Sequence, residues 1–352
     1  MNKIKLIFLA LVIALIGLTS FVYVRGFFSD RISRPLTHLI PAGTEDRGGL
    51  GELIPHPLSI TSLKSGDYPG SDLQIEQTLS SGVNYFRYIA SYKSEGLKIY
   101  GLLTVPQTIP PPGGWPAIIF NHGYIPPAQY RTTERYIAYT DGFSRQSYVL
   151  FRPDYRGHGN SEGTASGAYG SNSYTIDVLN ALSSVKKLGY VNGEKIGMWG
   201  HSLGGFITLR SMVVSGDIKA GVIWAGVVGS YEDLFSRWRR RNVPSTTPSS
   251  RTGGWRQQLS QIYGDPDQNP EFWRFLSANS FLSDISGPLQ IHHGTADSSV
   301  PVEFSQKLFS DLKSLDKETE FYSYYSDDHN LSNNFTLAMR RSVEFFDKYL
   351  KN

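Results

Sequence analysis

The chain has 352 residues, of which 40% are hydrophobic, 18% charged and 13% aromatic, and its formal net charge is +3. This composition is typical of a globular protein and excludes a disordered chain. The charge is too small to indicate nucleic acid as a partner. The absence of cysteine excludes disulfides and a thiolate nucleophile.

The N-terminal segment has a different character from the rest. Residues 6–24 carry no charge, and their number is close to the roughly 20 that cross a bilayer as a helix. A signal-peptide cleavage site is only weakly indicated. We expect residues 1–30 to form an uncleaved, single-pass transmembrane anchor, with the remaining chain outside the cytoplasm. Secretion after cleavage is the alternative.

The next segment, residues 31–84, is rich in Pro, Gly and Ser, which predicts an extended tether that packs on the following domain. From residue 85 onward the pattern predicts two strands joined at Glu95-Gly96. Further strands are predicted within 116–123, 147–159, 194–200, 220–226, 288–294 and 319–325, and helices within 133–146, 171–189, 203–215, 301–315 and 333–350. Strands that alternate with helices predict one domain, 85–352, built on a mostly parallel sheet with helices on both faces.

One stretch, residues 231–284, interrupts this alternation. An insertion between two strands of such a sheet is a candidate lid over a binding site. Its aromatic residues would supply apolar walls, and Trp238 and Trp273 are the predicted substrate-binding residues. The arginine cluster at 237–241 fits either a solvated face or a site for acidic groups.

The most informative motif is Gly-His-Ser-Leu-Gly at 200–204, which lies between a predicted strand and a predicted helix. This order is typical of a nucleophile elbow, a turn so tight that side chains two residues before or after the serine would clash. We therefore predict Ser202 as a nucleophile and expect Gly200 and Gly204 to be required.

A serine hydroxyl needs a base to accept its proton, and the base needs an acid to orient it. In this architecture both follow the serine, acid first. Asp297 follows a late strand and His329 follows the last strand, so we predict them as acid and base. Asp327 and Asp328 remain rival acids.

Acyl transfer also needs donors for the developing oxyanion. The elbow supplies the backbone N–H of Leu203. The loop that follows the strand predicted within 116–123 supplies the second donor, for which we predict the backbone N–H of Tyr124 or, alternatively, its hydroxyl. No His-x-Glu or cysteine cluster indicates a metal site, and no cofactor is expected.

Five segments occur in one order: NHGY, DYRGHGNSEG, GHSLGG, HHGTADSSVP and DDHNL. Together they resemble the α/β-hydrolase domain of the prolyl-oligopeptidase family of serine peptidases, including its dipeptidyl- and acylaminoacyl-peptidase-like members. The resemblance covers about residues 84–350. It implies an α/β-hydrolase fold, the triad Ser202, Asp297 and His329, and an oxyanion hole at Leu203 and Tyr124. We expect Arg156, in the second segment, to brace Asp154 or the backbone near it.

The resemblance implies a serine hydrolase that cleaves ester or peptide bonds of small substrates through an acyl-enzyme. About 55 residues lie between the predicted anchor and the domain, and they are too few for the family's β-propeller, whose blades take about 40 residues each. We therefore expect clear activity on short-chain esters, with peptidase activity confined to small or N-blocked peptides. The alternatives are a carboxylesterase and a catalytically inactive, membrane-tethered binding module.

Overall fold

A computed structural model describes residues 56–238 and 254–352. The predicted anchor, the first part of the predicted tether and residues 239–253 of the predicted lid lie outside the described residues. Within the described ranges, no helix is both long and apolar enough to cross a membrane.

The described strands form one nine-stranded sheet in the order β1-β2-β3-β5-β4-β6-β7-β8-β9. They are β1 (Gln74–Leu79), β2 (Tyr85–Ser94), β3 (Leu97–Pro106), β4 (Trp115–Asn121), β5 (Val149–Pro153), β6 (Val191–His201), β7 (Ala220–Trp224), β8 (Leu289–Gly294) and β9 (Thr319–Tyr324). Three pairs of strands are antiparallel: β1 with β2, β2 with β3, and β3 with β5. All later pairings are parallel. The sheet is therefore mostly parallel, as predicted.

The opening hairpin is confirmed. Glu95 and Gly96 join β2 to β3 with φ values of 49° and 80°, and two consecutive left-handed residues are what a two-residue turn between twisted strands requires. β1 extends the hairpin at its free edge, although the sequence analysis placed this segment in a tether. Residues 74–78 of β1 are all exposed, so no alternation of apolar side chains marks the strand.

The helices of the described residues are α1 (Ile60–Lys64), α2 (Ile137–Ser144), α3 (Ser173–Lys186), α4 (Leu203–Val214), α5 (Tyr231–Ser236), α6 (Trp255–Tyr263), α7 (Pro270–Leu276), α8 (Val302–Ser314) and α9 (Phe335–Leu350), with 3₁₀ turns at Pro127–Gln129 and Ala278–Asp284. Successive residues of β4 point to opposite faces of the sheet. Accordingly, Ile119 joins the core cluster that contains residues of α3, α4 and α8, whereas Ile118 joins the cluster that contains residues of α2 and α9. Helices thus cover both faces, as predicted.

The parallel strands end at one edge of the sheet, and the loops that leave them there meet. The loops after β4, β6, β8 and β9 carry Tyr124, Ser202, Asp297 and His329, respectively. This topology brings together side chains that lie up to about 200 residues apart in the sequence.

Candidate active site

Ser202 occupies a strained turn between β6 and α4. Its φ and ψ are 56° and −118°, a combination that costs of order 1–3 kcal/mol and is tolerated where the surrounding structure enforces it. A Cβ added at Gly200 would lie 2.3 Å from the carbonyl oxygen of Gly204, and one added at Gly204 would lie 1.9 Å from that of Asn121. Neither position admits a side chain, so the predicted tight turn and its need for both glycines are confirmed.

The turn is held by the neighbouring strand end. The Ser202 amide donates to the carbonyl of Trp224 at 3.0 Å, and the Val227 amide donates to the carbonyl of Ser202 at 3.0 Å. Ser202 is partly exposed, whereas its neighbours His201 and Leu203 are buried. The backbone is therefore fixed while the side chain stays accessible.

Asp297 and His329 lie in contact. The Nδ1–H of His329 donates to Oδ2 of Asp297 at 2.7 Å, and the Asp297 side chain is fully buried while that of His329 is 20% exposed. The backbone amides of Ser299 and Val300 donate to Oδ1 of Asp297 at 2.7 and 2.9 Å. Because one ring nitrogen of His329 is bound to the acid, the other, Nε2, is the one that can accept a proton.

The charge of Asp297 is stabilised on several sides. Burial alone would raise the pKa of this carboxyl, but hydrogen bonds from His293 and His329 outweigh burial and hold its pKa well below the usual range. The His293 contact joins Nε2 to Oδ2 of Asp297 at 3.1 Å, and Nδ1 of His293 lies 2.7 Å from the hydroxyl of Ser305. The acid is therefore ionised at working pH, as an orienting carboxylate must be.

The two rival acids have other partners. Asp327 accepts from the backbone amides of Asn333 and Asn334 and so caps the turn before α9. Asp328 accepts from the amide and hydroxyl of Ser332. Both carboxylates shape the loop that carries His329, and the His329 ring is bonded to Asp297.

The loop after β4 lies directly against Ser202. A Cβ added at Gly123 would lie 2.5 Å from the Tyr136 hydroxyl and 3.2 Å from Cβ of Ser202, so a side chain here would displace the loop or its neighbours. Tyr124 follows, with its side chain 57% exposed. Leu203 is the first residue of α4, and the amides of a helix's first turn have no acceptor within the helix. The two predicted oxyanion donors therefore belong to segments that both adjoin Ser202.

A hydrogen-bond chain that the sequence did not reveal links these loops. The Gly123 amide donates to the hydroxyl oxygen of Tyr136 at 2.9 Å, and that hydroxyl donates to Nδ1 of His201 at 2.7 Å. Nε2–H of His201 then donates to the carbonyl oxygen of His329 at 2.9 Å. The rings of His201 and His329 also pack with their centroids 4.7 Å apart. We name these three bonds the Tyr136–His201 relay.

The protonation states in the relay follow from burial. Burial, with the adjacent His329, lowers the pKa of His201 to about 3, so the ring is neutral and one of its nitrogens can accept. Burial also raises the pKa of Tyr136 well above its usual value, so the hydroxyl keeps its proton and can donate. The sequence motifs did not single out His201, His293 or Tyr136 as site residues. No local pattern identifies the bonds of Tyr136 and His201, because they join residues 65 and 128 positions apart.

The two predicted substrate-binding tryptophans have different surroundings. Nε1–H of Trp238 donates to the carbonyl of Ser299, on the loop that holds Asp297, at 2.8 Å. Trp273 instead donates to the carbonyl of Gly264 at 3.1 Å and packs within the insertion against Phe235. Trp238 is therefore adjacent to the acid loop, whereas Trp273 is a core residue of the insertion.

Trp273 also lines a cavity of about 750 Å³, together with Phe235, Arg274 and Lys307. Among the described residues that line this cavity, none belongs to the predicted triad. A substrate must contact the nucleophile, so the reaction site lies at Ser202 and not in this larger cavity. The prediction that Trp273 contacts substrate at the triad is therefore not supported by its position.

The prediction for Arg156 is wrong. Its guanidinium bonds to both carboxylate oxygens of Asp177 and pairs with Glu95 at 2.8 Å. Asp154 accepts instead from the hydroxyls of Tyr130 at 2.7 Å and Thr132 at 2.5 Å. Buried Asp154 thus fixes the loop that follows the Tyr124 segment.

The sequence was compared with known protein families. Residues 138–352 match the model of the prolyl oligopeptidase family. The chain belongs to this family. It is accordingly a serine hydrolase that acts on peptide or ester bonds. The family resemblance and the α/β-hydrolase fold predicted from the sequence are both confirmed.

Two similar proteins come from Bacillus subtilis. The chain is 25% identical over 267 residues to the uncharacterized peptidase YtmA, spanning 75% of this chain and 93% of that protein. It is 26% identical over 255 residues to the putative esterase YitV, spanning 67% of this chain and 89% of that protein.

Solved structures share the fold. The acylaminoacyl peptidase of Pyrococcus horikoshii superposes with a TM-score of 0.60 at 22% identity, and the match covers 76% of this chain but only 42% of the peptidase. The acetyl xylan esterase of Paenibacillus sp. R4 superposes with a TM-score of 0.62 at 15% identity, covering 83% of this chain and 92% of the esterase. The chain thus spans less than half of that peptidase and most of that esterase.

Proposed function

We propose that Ser202, His329 and Asp297 form the catalytic triad of this hydrolase. In the first half-reaction, Oγ of Ser202 bonds to the substrate carbonyl carbon while Nε2 of His329 takes the hydroxyl proton. His329 then gives this proton to the leaving nitrogen or oxygen as its bond to the acyl carbon breaks. In the second half-reaction, water releases the acyl group by the same route. The 2.7 Å bond between His329 and Asp297 is the observation that carries this proposal.

Leu203 and Tyr124 are the proposed oxyanion donors, through their backbone amides. Support comes from the close approach of Gly123 to Ser202 and from the position of Leu203 at the start of α4. Donors fixed in advance stabilise the negative charge that develops on the carbonyl oxygen, and losing one typically costs a factor of about 10²–10³ in kcat.

The proposed substrates are small acyl compounds: short-chain esters and small or N-blocked peptides. The similar proteins include both a peptidase and a putative esterase, and the same triad serves both bond types. Trp238 is proposed as a wall of the acyl site, because it is bonded to the loop that carries the acid.

The test uses p-nitrophenyl esters beside acetyl-aminoacyl and aminoacyl p-nitroanilides. Ser202→Ala, His329→Ala and Asp297→Asn should each lower kcat by a factor on the order of 10³ or more, with KM little changed. A double variant should lose no more than the worse single variant, because the three residues act as a unit.

The matched control is Asp328→Asn, which removes the charge of a rival acid beside His329. It should keep most of the wild-type kcat. A fluorophosphonate probe should label the wild type and not Ser202→Ala. Near wild-type turnover by His329→Ala, or equal damage by Asp328→Asn and Asp297→Asn, would contradict the assignment.

We also propose that residues 6–24 anchor the enzyme in a membrane, with the hydrolase domain outside the cytoplasm. This proposal rests on the sequence alone, because the segment lies outside the described residues. Its support is the length and the lack of charge of the segment.

A further inference from the structure

An open cleft of about 360 Å³ adjoins the proposed catalytic centre. Its lining includes Tyr124, Gln129, Arg135, Tyr136, Tyr139 and Asn330, and we name it the Arg135 cleft. Its volume falls at the lower end of the range of small-molecule sites, roughly 300–1,000 Å³. It is therefore large enough for one substituted ring.

The cleft adjoins the loop that carries His329. Asn330 directly follows His329 in the chain, and the hydroxyl of Tyr139 donates to the Asn330 carbonyl at 3.3 Å. The lining also includes Tyr124, which carries a proposed oxyanion donor. Because the histidine must deliver its proton to the departing atom, the leaving group of a bound substrate has to lie beside His329. The Arg135 cleft is thus placed for the leaving group, because its lining includes Asn330, the neighbour of His329.

The charge of the cleft is positive. Arg135 is the one charged residue in its lining, and its guanidinium forms no ion pair with any carboxylate in the part of the chain that the structure describes. The remaining lining is aromatic or neutral, and the rings of Tyr136 and Tyr139 lie 5.2 Å apart. A guanidinium binds a carboxylate through two parallel hydrogen bonds, and tyrosine rings favour edge-on or offset contact with another ring.

The position of Arg135 is built into the fold. Arg135 and Tyr136 have φ values of 57° and 51°, and two successive left-handed non-glycine residues cost of order 1–2 kcal/mol each. Buried Arg152 holds this conformation, because its guanidinium donates to the carbonyls of Arg135 at 2.8 Å, Glu134 at 3.2 Å and Thr132. Strain that is maintained by a buried clamp suggests a functional role for the residue it orients.

We propose that the Arg135 cleft selects leaving groups that combine an aromatic ring with a carboxylate. In an ester this group is a hydroxybenzoate, and in a peptide it is a C-terminal aromatic residue with its free carboxylate. The proposal rests on the proposed triad. As the Ser202 oxygen bonds to the acyl carbon, the bond from that carbon to the leaving oxygen or nitrogen breaks. The leaving atom receives its proton from His329 while Arg135 holds the carboxylate of the leaving group.

The test compares two substrates that share the acyl group: 4-butyryloxybenzoate and 4-butyryloxybenzamide. The measured quantity is the ratio of kcat/KM for the benzoate to kcat/KM for the benzamide, divided by the ratio of their spontaneous hydrolysis rates. For the full-length wild type this corrected ratio should be at least about ten. Arg135→Gln should reduce this ratio to near one, and Arg135→Lys should retain part of it. The control is Arg145→Gln, which removes a surface charge that is paired with Asp141 near the C-terminal end of α2; it should leave the ratio at the wild-type value.

A second measurement does not depend on turnover. Binding of 4-hydroxybenzoate and 4-hydroxybenzamide to the Ser202→Ala variant should favour the acid about tenfold, and adding Arg135→Gln should remove that preference. A wild type with no preference, or a preference that survives Arg135→Gln, would overturn the inference. Failure of the proposed function has a different signature: no hydrolysis of p-nitrophenyl butyrate and no fluorophosphonate labelling, whatever the binding result.

Discussion

Replacing Tyr136 with phenylalanine removes one oxygen atom from the relay and keeps the ring. Two buried groups then lose their partner: the amide of Gly123 and Nδ1 of His201. An unsatisfied buried polar group costs about 1–3 kcal/mol, so we expect the variant to lose roughly 2–6 kcal/mol of unfolding free energy in urea titrations.

The activity should fall for a separate reason. The Gly123 amide precedes Tyr124, so releasing it frees the loop that carries a proposed oxyanion donor. Complete loss of one donor costs about 10²–10³ in kcat, and a displaced donor should cost less. We expect kcat on p-nitrophenyl butyrate to fall about 10- to 100-fold, with KM changed less than about threefold, because the oxyanion exists only in the transition state.

The matched control is Tyr148→Phe. Its hydroxyl donates to the carboxylate of Asp347 at 2.6 Å, just before β5 begins and away from the edge that carries Ser202. This variant should lose stability, about 1 kcal/mol, without loss of kcat. If Tyr136→Phe kept kcat within twofold of the wild type, or raised KM instead, the relay would not position the oxyanion loop.

Three further outcomes follow from the structure and the sequence. Gly204→Ala should fail to fold or lose more than about 3 kcal/mol of unfolding free energy in a urea titration, because the new methyl would meet the Asn121 carbonyl at 1.9 Å. The control is Gly189→Ala, whose new methyl has nothing within 4 Å. It should stay within about 0.5 kcal/mol of the wild type in the same titration. Burial raises the pKa of Asp154 from 3.8 to about 6, so its stabilising contribution is fully present below pH 3.8 and is lost as the pH rises through about 6. The stability advantage of the wild type over Asp154→Asn should therefore shrink by about 2 kcal/mol between pH 4 and pH 7, and a constant difference would show that the carboxyl titrates normally. Finally, the full chain should remain in the membrane pellet after carbonate extraction and be released by deletion of residues 1–30, and a mature N-terminus near residue 20 would contradict the anchor.

The sequence determined most of the parallel part of the fold and the order of the proposed triad. Buried parallel strands appear as short, continuous apolar runs, and the strands predicted within 116–123, 194–200 and 288–294 needed no knowledge of neighbours. The turn at Ser202 was equally local, because its strain requires glycine at fixed offsets, which the chain shows at Gly200 and Gly204. Asp297 and His329 followed from their places after the last two strands.

The tertiary structure decided everything that depends on partners remote in the chain. β1 escaped prediction because its exposed residues gave no alternating pattern and only pairing with β2 defines it. Tyr136 bonds a residue 65 positions away, and Arg156 found Asp177 rather than the nearer Asp154. Trp273, predicted to contact substrate, proved to be a packing residue of the insertion. Periodicity and turn chemistry are properties of neighbouring residues, whereas a hydrogen-bond partner is chosen by which loops the folded sheet brings to the same edge.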